Sequence, residues 1–344
     1  MEAWVSPLVA SLPWWALAVV IAASLATLWR GADLLVREAV TLSERSGIPK
    51  VVVGATVVSL GTTTPETAVS VVAAVRGRAE LALGNAVGSI ICDTGLILGL
   101  ACLLRPLPLD RRIVNRQGWI QLAAGFGLVA VCLPWSNLPE TFVAGGTLPQ
   151  IAGIGFVAAL AAYLAASVRW ARQGDPLVSE LTAEADKLAE QAPLGWVLAK
   201  LAGGLAVVIL SSEVLIPSVS DAARRLSVPE GVIAATLVAF GTSLPELVTA
   251  VTATLRGHGD IAVGNVVGAD ILNVLWVAGL SAAVTPGGLR ASPEFFSLYF
   301  PSMIFVLLVF RAGIWLSGER LSRVFGAVLL GAYLAVTILS YAAK

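Results

Sequence analysis

The chain has 344 residues, 57% of them hydrophobic and 13% charged, with a mean hydropathy of +0.87. A soluble domain carries about 25% charged residues to cover its surface, and the apolar residues here come in runs of about twenty or more, enough to cross roughly 30 Å of hydrocarbon. The formal net charge is zero, which leaves no basic footprint for nucleic acid, so the chain is read as an integral membrane protein.

Ten spans are expected, at 13–37, 50–75, 81–104, 117–134, 150–170, 195–217, 229–255, 261–284, 295–311 and 319–342. Glu2 stands where a signal peptide would carry a basic n-region, so the first apolar stretch is read as a retained helix. Cys92, Cys102 and Cys132 fall inside apolar segments, with no disulfide framework and no metal-ligand spacing. Residues 171–194 break the pattern with Asp175, Glu180, Glu184, Asp186 and Glu190 against Lys187, and with Leu177, Val178, Leu181 and Leu188 at amphipathic spacing. They are read as a connecting linker between a first half, 1–170, and a second half, 195–344. Counting Lys and Arg at the span ends gives fifteen on one side, including Arg105, Arg111, Arg112 and Arg256, against six on the other. The positive-inside rule then places the linker in the cytoplasm and both termini outside the cell membrane.

The two halves repeat each other. Shifted by 180 residues without gaps, residues 47–106 match 227–286 at 22 of 60 positions, among them Pro49/Pro229, Gly61/Gly241, Thr62/Thr242, Pro65/Pro245, Glu66/Glu246, Arg76/Arg256, Gly84/Gly264, Asn85/Asn265 and Gly88/Gly268. Equivalent residues lie five spans apart. Five is odd, so the second copy crosses the membrane in the opposite sense, and the expected architecture is an all-α membrane protein of ten helices arranged as two inverted-topology five-helix repeats.

Each repeat carries G-T-x-x-P-E in mid-membrane: Gly61 to Glu66 in the second span, and Gly241 to Glu246 in the seventh. Proline cannot donate a helix hydrogen bond, and its ring clashes with the carbonyl four residues back. The expected result is a freed carbonyl near Gly61 and another near Gly241. Irregular backbone at this depth survives only where it lines a cavity or binds something. Hydroxyls, freed carbonyls and a carboxylate make an all-oxygen donor set, which suits Na⁺ or Ca²⁺ better than zinc or copper. An ionised glutamate in mid-membrane costs several kcal/mol unless it is paired, bound or protonated. No Lys or Arg lies at the depth of Glu66 or Glu246 in these spans, so a cation is the natural partner.

The third and eighth spans add Asp93 and Asn273, each near the centre of its span and equivalent by the same shift. Ser89 lies one helical turn before Asp93. The glycines at 84, 88, 264 and 268 form G-x-x-x-G faces suited to close helix contact, which would bring Asp93 toward Glu66 and Glu246. These glycines, with Asn85 and Asn265, are read as mainly structural. Asp33 and Glu213 are also equivalent. Asp33 can pair with Arg30 or Arg37 in its own helix, whereas Glu213 has no basic residue one turn away and is read as a vestibule position. His258, the only histidine, falls in a loop and is given no catalytic role.

On the duplicated G-T-x-x-P-E and G-N-x-x-G, the sequence resembles the sodium/calcium exchanger family of the cation/calcium antiporter superfamily, over essentially its whole length. The resemblance implies Ca²⁺ moved against Na⁺ by alternating access, with helices 1 and 6 sliding across the other eight. No enzyme chemistry and no cofactor are expected, inorganic cations and membrane lipid are the expected partners, and no obligate protein partner is inferred. Carried over by position, the ion ligands are Glu66 and Glu246 above all. Thr62, Thr63, Thr242 and Ser243 supply hydroxyls, Ser59 and Ala239 supply backbone carbonyls, and Ser89, Asp93 and Asn273 complete the set. The chain departs from the family pattern where Ala269 replaces a serine, where Asp93 and Asn273 exchange the usual order of amide and acid, and where Asp270 adds a carboxylate that faces either the site or a helix interface. A proton-coupled exchanger of the same fold is the alternative. A membrane phosphatase-type enzyme is less favoured, because no nucleophile with an Arg or His lies at the site.

Overall fold

A computed structural model describes residues 2–172, 193–226 and 241–342. Ala239, the first half of the 229–255 span and nearly all of the 171–194 linker lie outside the described residues. The described chain is helical apart from short turns and two small strand pairs. Its helices are α1 (Glu2–Ala10), α2 (Trp14–Ser46), α3 (Lys50–Thr62), α4 (Thr64–Val75), α5 (Ala79–Leu104), α6 (Arg111–Cys132), α7 (Gln150–Arg172), α8 (Leu194–Arg225), α9 (Leu244–Leu255), α10 (Gly259–Ala283), α11 (Phe295–Leu316) and α12 (Arg323–Ala342). Among the described residues, six of these (α2, α5, α7, α8, α10 and α11) are long and apolar enough to cross a membrane on their own.

Several boundaries differ from those read in the sequence. The first span extends to Ser46 and is preceded by a separate short helix. The sixth extends to Arg225. The fourth starts at Arg111, where the Asp110 side chain accepts from the backbone N–H groups of Arg112 and Ile113 and caps the helix. The second is not one helix but two, α3 and α4, meeting at Thr63 (φ −77°, ψ 4°). Pro65 falls in the first turn of α4, where its missing N–H costs nothing. The break therefore comes at Thr63, two residues beyond Gly61, whose carbonyl Pro65 cannot bond. The second repeat does the same: Ser243 (φ −85°, ψ 9°) precedes α9, with Pro245 in its first turn.

Two strand pairs mark the faces of the molecule. Leu107–Pro108 (β1) pairs antiparallel with Arg320–Leu321 (β4), and Gly146–Leu148 (β2) with Leu289–Ala291 (β3). α5 begins where Glu80 approaches Arg290 of β3, at 4.0 Å, and runs directly into β1. α10 runs the other way. It begins with Gly259 packed against Pro108 of β1 and ends where the Ala283 carbonyl accepts from the Gln150 side chain, just beyond β2, at 2.8 Å. These two helices carry Asp93 and Asn273, so equivalent positions of the repeat lie on antiparallel helices.

α10 is the centre of the molecule, buried continuously from Ile261 to Leu272. It packs backbone to backbone on α3. A β-carbon at Gly264 would fall 2.2 Å from the Val51 carbonyl oxygen, and one at Gly268 would fall 2.5 Å from the Ala55 backbone. Only glycine permits that approach. Most other helices share one large apolar core with α10. α2 and α8 pack mainly on each other, around a small second core of Leu28, Ala32, Val208, Leu215 and Leu244.

Candidate functional site: a crossed pair of carboxylates

The breaks at Thr63 and Ser243 place Glu66 and Glu246 in the first turns of α4 and α9, both 1% exposed. Each break then reaches across to the other repeat. The Thr63 hydroxyl donates to Glu246 Oε1 at 3.2 Å, and the Ser243 hydroxyl lies 3.4 Å from Glu66 Oε1. Thr63 and Ser243 are themselves equivalent by the 180-residue shift, so the two contacts are one contact made twice.

A second reciprocal layer lies behind the first. Thr62 Oγ1 is 3.3 Å from Asn265 Oδ1, and Thr242 Oγ1 is 3.4 Å from Asn85 Oδ1. Asn85 also donates to the Glu66 carbonyl at 3.3 Å and to Ser70 at 3.0 Å. The duplicated asparagines therefore orient the threonine hydroxyls, which leaves hydroxyl lone pairs for another partner. Ser59, fully buried, lies beside this layer, with the Thr62 hydroxyl 3.3 Å from its carbonyl oxygen.

Widened π-helical turns at Cys92–Ile97 in α5 and Asn273–Ala278 in α10 carry Asp93 and Asn273. Such turns recur at functional sites because they shift side chains out of the regular helical register. Asn273 Nδ2 donates to Asp93 Oδ2 at 3.4 Å. Ser89 stands on the glutamate side, its hydroxyl lying 3.4 Å from that of Ser243. Short polar contacts thus pair Thr63 with Glu246, Ser243 with Glu66 and Ser89, and Asn273 with Asp93, while Thr62 and Thr242 meet the duplicated asparagines. Ala239 lies outside the described residues.

One oxygen on each of the four central groups has no hydrogen-bond partner among the described residues: Glu66 Oε2, Glu246 Oε2, Asp93 Oδ1 and Asn273 Oδ1. Buried carboxylate oxygen without a donor is costly, and a cation relieves that cost. Among the described residues, no three acidic, cysteine or histidine side chains converge closely enough to hold a metal ion alone. A cation here takes carboxylate together with hydroxyl, amide and carbonyl oxygen, the donors preferred by Na⁺ and Ca²⁺.

Asp270 belongs to the helix interface. It accepts from Thr94 of α5 and from Gln121 of α6, and its Oδ1 has no partner among the described residues. Gln121 had no sequence signal: it lies 149 residues away, in a helix outside both motifs. Asp33 pairs with Arg37 at 3.5 Å, as one of the two expected options, and also with Arg256 at 2.5 Å, which the sequence did not indicate. His258 lines a surface cavity with Arg37, Glu38 and Lys200. Partial burial, aided by the charge of Lys50, lowers its imidazole below the usual value. The three cysteines are buried and unbridged.

The model of the sodium/calcium exchanger protein family matches residues 16–169 and 196–342. The inner membrane protein YrbG of Escherichia coli is 33% identical over 90% of this chain and 92% of its own length. The sodium/calcium exchanger MaX1 of Methanosarcina acetivorans is 28% identical over 94% of this chain and 98% of its own. Among solved structures, the sodium-calcium exchanger NCX_Mj, soaked with 2.5 mM Na⁺ and 0.1 mM Ca²⁺, superposes with a TM-score of 0.75 at 24% identity, covering 93% of this chain and 97% of that one.

Proposed function

The chain belongs to the sodium/calcium exchanger family, and from that premise we propose that it is a secondary antiporter that exchanges Ca²⁺ for Na⁺ at the crossed carboxylate site by alternating access. It is a transporter and not an enzyme. The observation that carries the reading is the reciprocal contact of Thr63 with Glu246 and of Ser243 with Glu66. Each carboxylate accepts from or meets a hydroxyl of the opposite repeat, and each keeps one buried oxygen without a donor among the described residues. Glu66 and Glu246 provide the charge that attracts a dehydrated cation. Thr62, Thr63, Thr242, Ser243 and Ser89 replace its water ligands, and Asp93 with Asn273 completes the shell. Because α4 and α9 both begin at the site, a cation held there touches both repeats at once. Exchange then requires one ion to leave before the other binds.

The same reading takes the chain as ten membrane helices in two inverted five-helix repeats, with both termini outside. It is supported by the antiparallel run of α5 and α10, by the equivalent breaks at Thr63 and Ser243, and by the two stretches over which the family model matches. The deciding experiment is Ca²⁺ uptake by the purified protein in proteoliposomes, under an imposed Na⁺ gradient or an imposed pH gradient. Acceleration by Na⁺ at clamped pH supports the reading. Uptake that ignores Na⁺ and follows pH replaces it with proton-coupled exchange by the same fold.

A further inference from the structure

The ion pair between Asp33 and Arg256 has a counterpart written into the sequence. Asp33 lies on α2 with its side chain 11% exposed, 2.5 Å from Arg256 at the end of α9. Shifting by 180 residues converts this pair into Glu213 of α8 and Arg76 at the end of α4. The two arginines lie on opposite faces. Arg76 is near Glu80, where α5 begins beside Arg290. Arg256 adjoins Gly257, whose β-carbon position is 3.4 Å from Arg105 at the other end of α5. Arg76 is exposed and makes no ion pair among the described residues.

α2 and α8 pack on each other as a pair. They cross in close contact at Gly31 and Gly204, where a β-carbon on Gly204 would lie 2.9 Å from the Leu35 backbone nitrogen and 3.1 Å from the Gly31 carbonyl. Their shared core is small and is packed by Leu244, Leu247 and Val248 of α9, while Leu35, Val36 and Ala39 of α2 and Leu201 of α8 reach the main core. α4 and α9, the helices that end in the two arginines, are also those that begin with the site glutamates. In an inverted repeat, whatever one half does in one state the other half does in the opposite state.

We propose that Asp33–Arg256 and Glu213–Arg76 are alternating latches that hold the α2–α8 body in its two positions, one pair closed at a time. The proposal rests on the antiport reading above. In the present arrangement the Asp33–Arg256 latch closes the face on which Arg256 lies. A half-exposed ion pair biases such an equilibrium only modestly, and the bias appears as reciprocal changes in apparent affinity at the two faces.

The test uses the full chain in liposomes of defined orientation, with Ca²⁺ half-saturation measured from each face. Asp33→Asn or Arg256→Gln lowers the half-saturation concentration at the Arg256 face and raises it at the Arg76 face, each by about two- to fivefold. Glu213→Gln or Arg76→Gln does the opposite. Arg256→Lys stays near wild type. Shifts in the same direction at both faces, or none, overturn the latch while leaving antiport intact; wild-type protein that moves no Ca²⁺ under either gradient overturns the antiport reading instead. A second measurement needs no transport. In a background without the native cysteines, a short bifunctional thiosulfonate cross-links both Asp33→Cys/Arg256→Cys and Glu213→Cys/Arg76→Cys, but never both pairs in one molecule carrying all four. Failure of the second pair to cross-link alone overturns the proposal.

Discussion

Thr63 donates to Glu246 across 183 residues of chain, at 3.2 Å. Its symmetry mate Ser243 lies 3.4 Å from Glu66. Each glutamate carboxylate meets a hydroxyl of the opposite repeat, so the two halves meet at both. Glu66→Gln and Glu246→Gln preserve size but remove the charge facing the site. A lost close ion contact is worth on the order of 4 kcal/mol at an effective dielectric of 20, or roughly a thousandfold in affinity. Both variants lose Ca²⁺ transport while remaining monodisperse. Thr63→Val and Ser243→Ala remove one orienting hydroxyl each, worth about 1 kcal/mol, and each weakens Ca²⁺ half-saturation by about fivefold. Near-normal uptake by either glutamine variant would show that the ions bind elsewhere.

The proposed orientation is checked by labelling. Single cysteines in a background lacking the native three react with an impermeant reagent in intact cells at Ser136 and Ser292. Those at Ser179 and Ser322 react only after permeabilisation. Surface labelling at Ser179 reverses the assignment of faces.

Much of the site could be read from the sequence because the repeat printed it twice. Glu66 and Glu246 were recognisable from their prolines, and Asp93 and Asn273 from their shared distance to the G-N-x-x-G segment. The crossing of the contacts was not legible. Sequence symmetry makes Thr63 and Ser243 equivalent, but it does not say whether each faces its own glutamate or the other's, which depends on how α4 and α9 rotate against each other. The position of the break at Thr63 was not legible, because proline is accommodated in a first helical turn as easily as it kinks an interior. The strand pairs were invisible, since two or three residues carry no alternation signal. The Thr94–Asp270–Gln121 cluster depends on which face α6 turns toward α5 and α10, and no local pattern encodes that.

Close packing of α3 on α10 is tested at glycine. Gly268→Ala forces a β-carbon to within 2.5 Å of the Ala55 backbone and 2.6 Å of Ser59 Oγ. Backbone cannot swing aside as a side chain can, so the cost reaches or exceeds the roughly 1–3 kcal/mol of ordinary overpacking. The variant shows a clearly lower melting temperature in detergent and little Ca²⁺ uptake. Gly127→Ala, with nothing within 4 Å of its β-carbon position, is the control and melts at or above the wild-type temperature. Equal melting of the two would mean the α3–α10 contact is looser than described.

Asp270 and Asp93 are both buried acids, and their hydrogen-bond partners differ. Asp270 ties α10 to α5 and α6 through Thr94 and Gln121. Asp270→Leu leaves both donors without an acceptor, each worth about 1–3 kcal/mol, and melts markedly earlier. Asp270→Asn keeps an acceptor oxygen and holds Ca²⁺ half-saturation within about threefold of wild type. A loss of Ca²⁺ affinity in Asp270→Asn as large as that in Asp93→Asn would move Asp270 into the ion site.

The last prediction turns on the contact between Asn273 and Asp93. Asn273 Nδ2 lies 3.4 Å from Asp93 Oδ2, and each keeps one buried oxygen without a partner among the described residues. Asp93→Asn lowers the charge of the site by one and leaves two amides facing each other. Cation affinity falls steeply, again by an amount on the order of 4 kcal/mol per close contact. Asn273→Asp alone raises the charge, places a second carboxylate against the first, and impairs release of Ca²⁺ more than its binding. Combining the two returns the acid/amide pair with its members exchanged, and the amide of residue 93 can donate to residue 273 as Asn273 now donates to Asp93. The double variant therefore recovers a substantial part of the uptake lost in Asp93→Asn, with total charge restored and the hydrogen bond reversed. The measurement is initial Ca²⁺ uptake at matched protein density for the two singles and the double. A double variant as inactive as Asp93→Asn would show that the two positions do not act on the same ion.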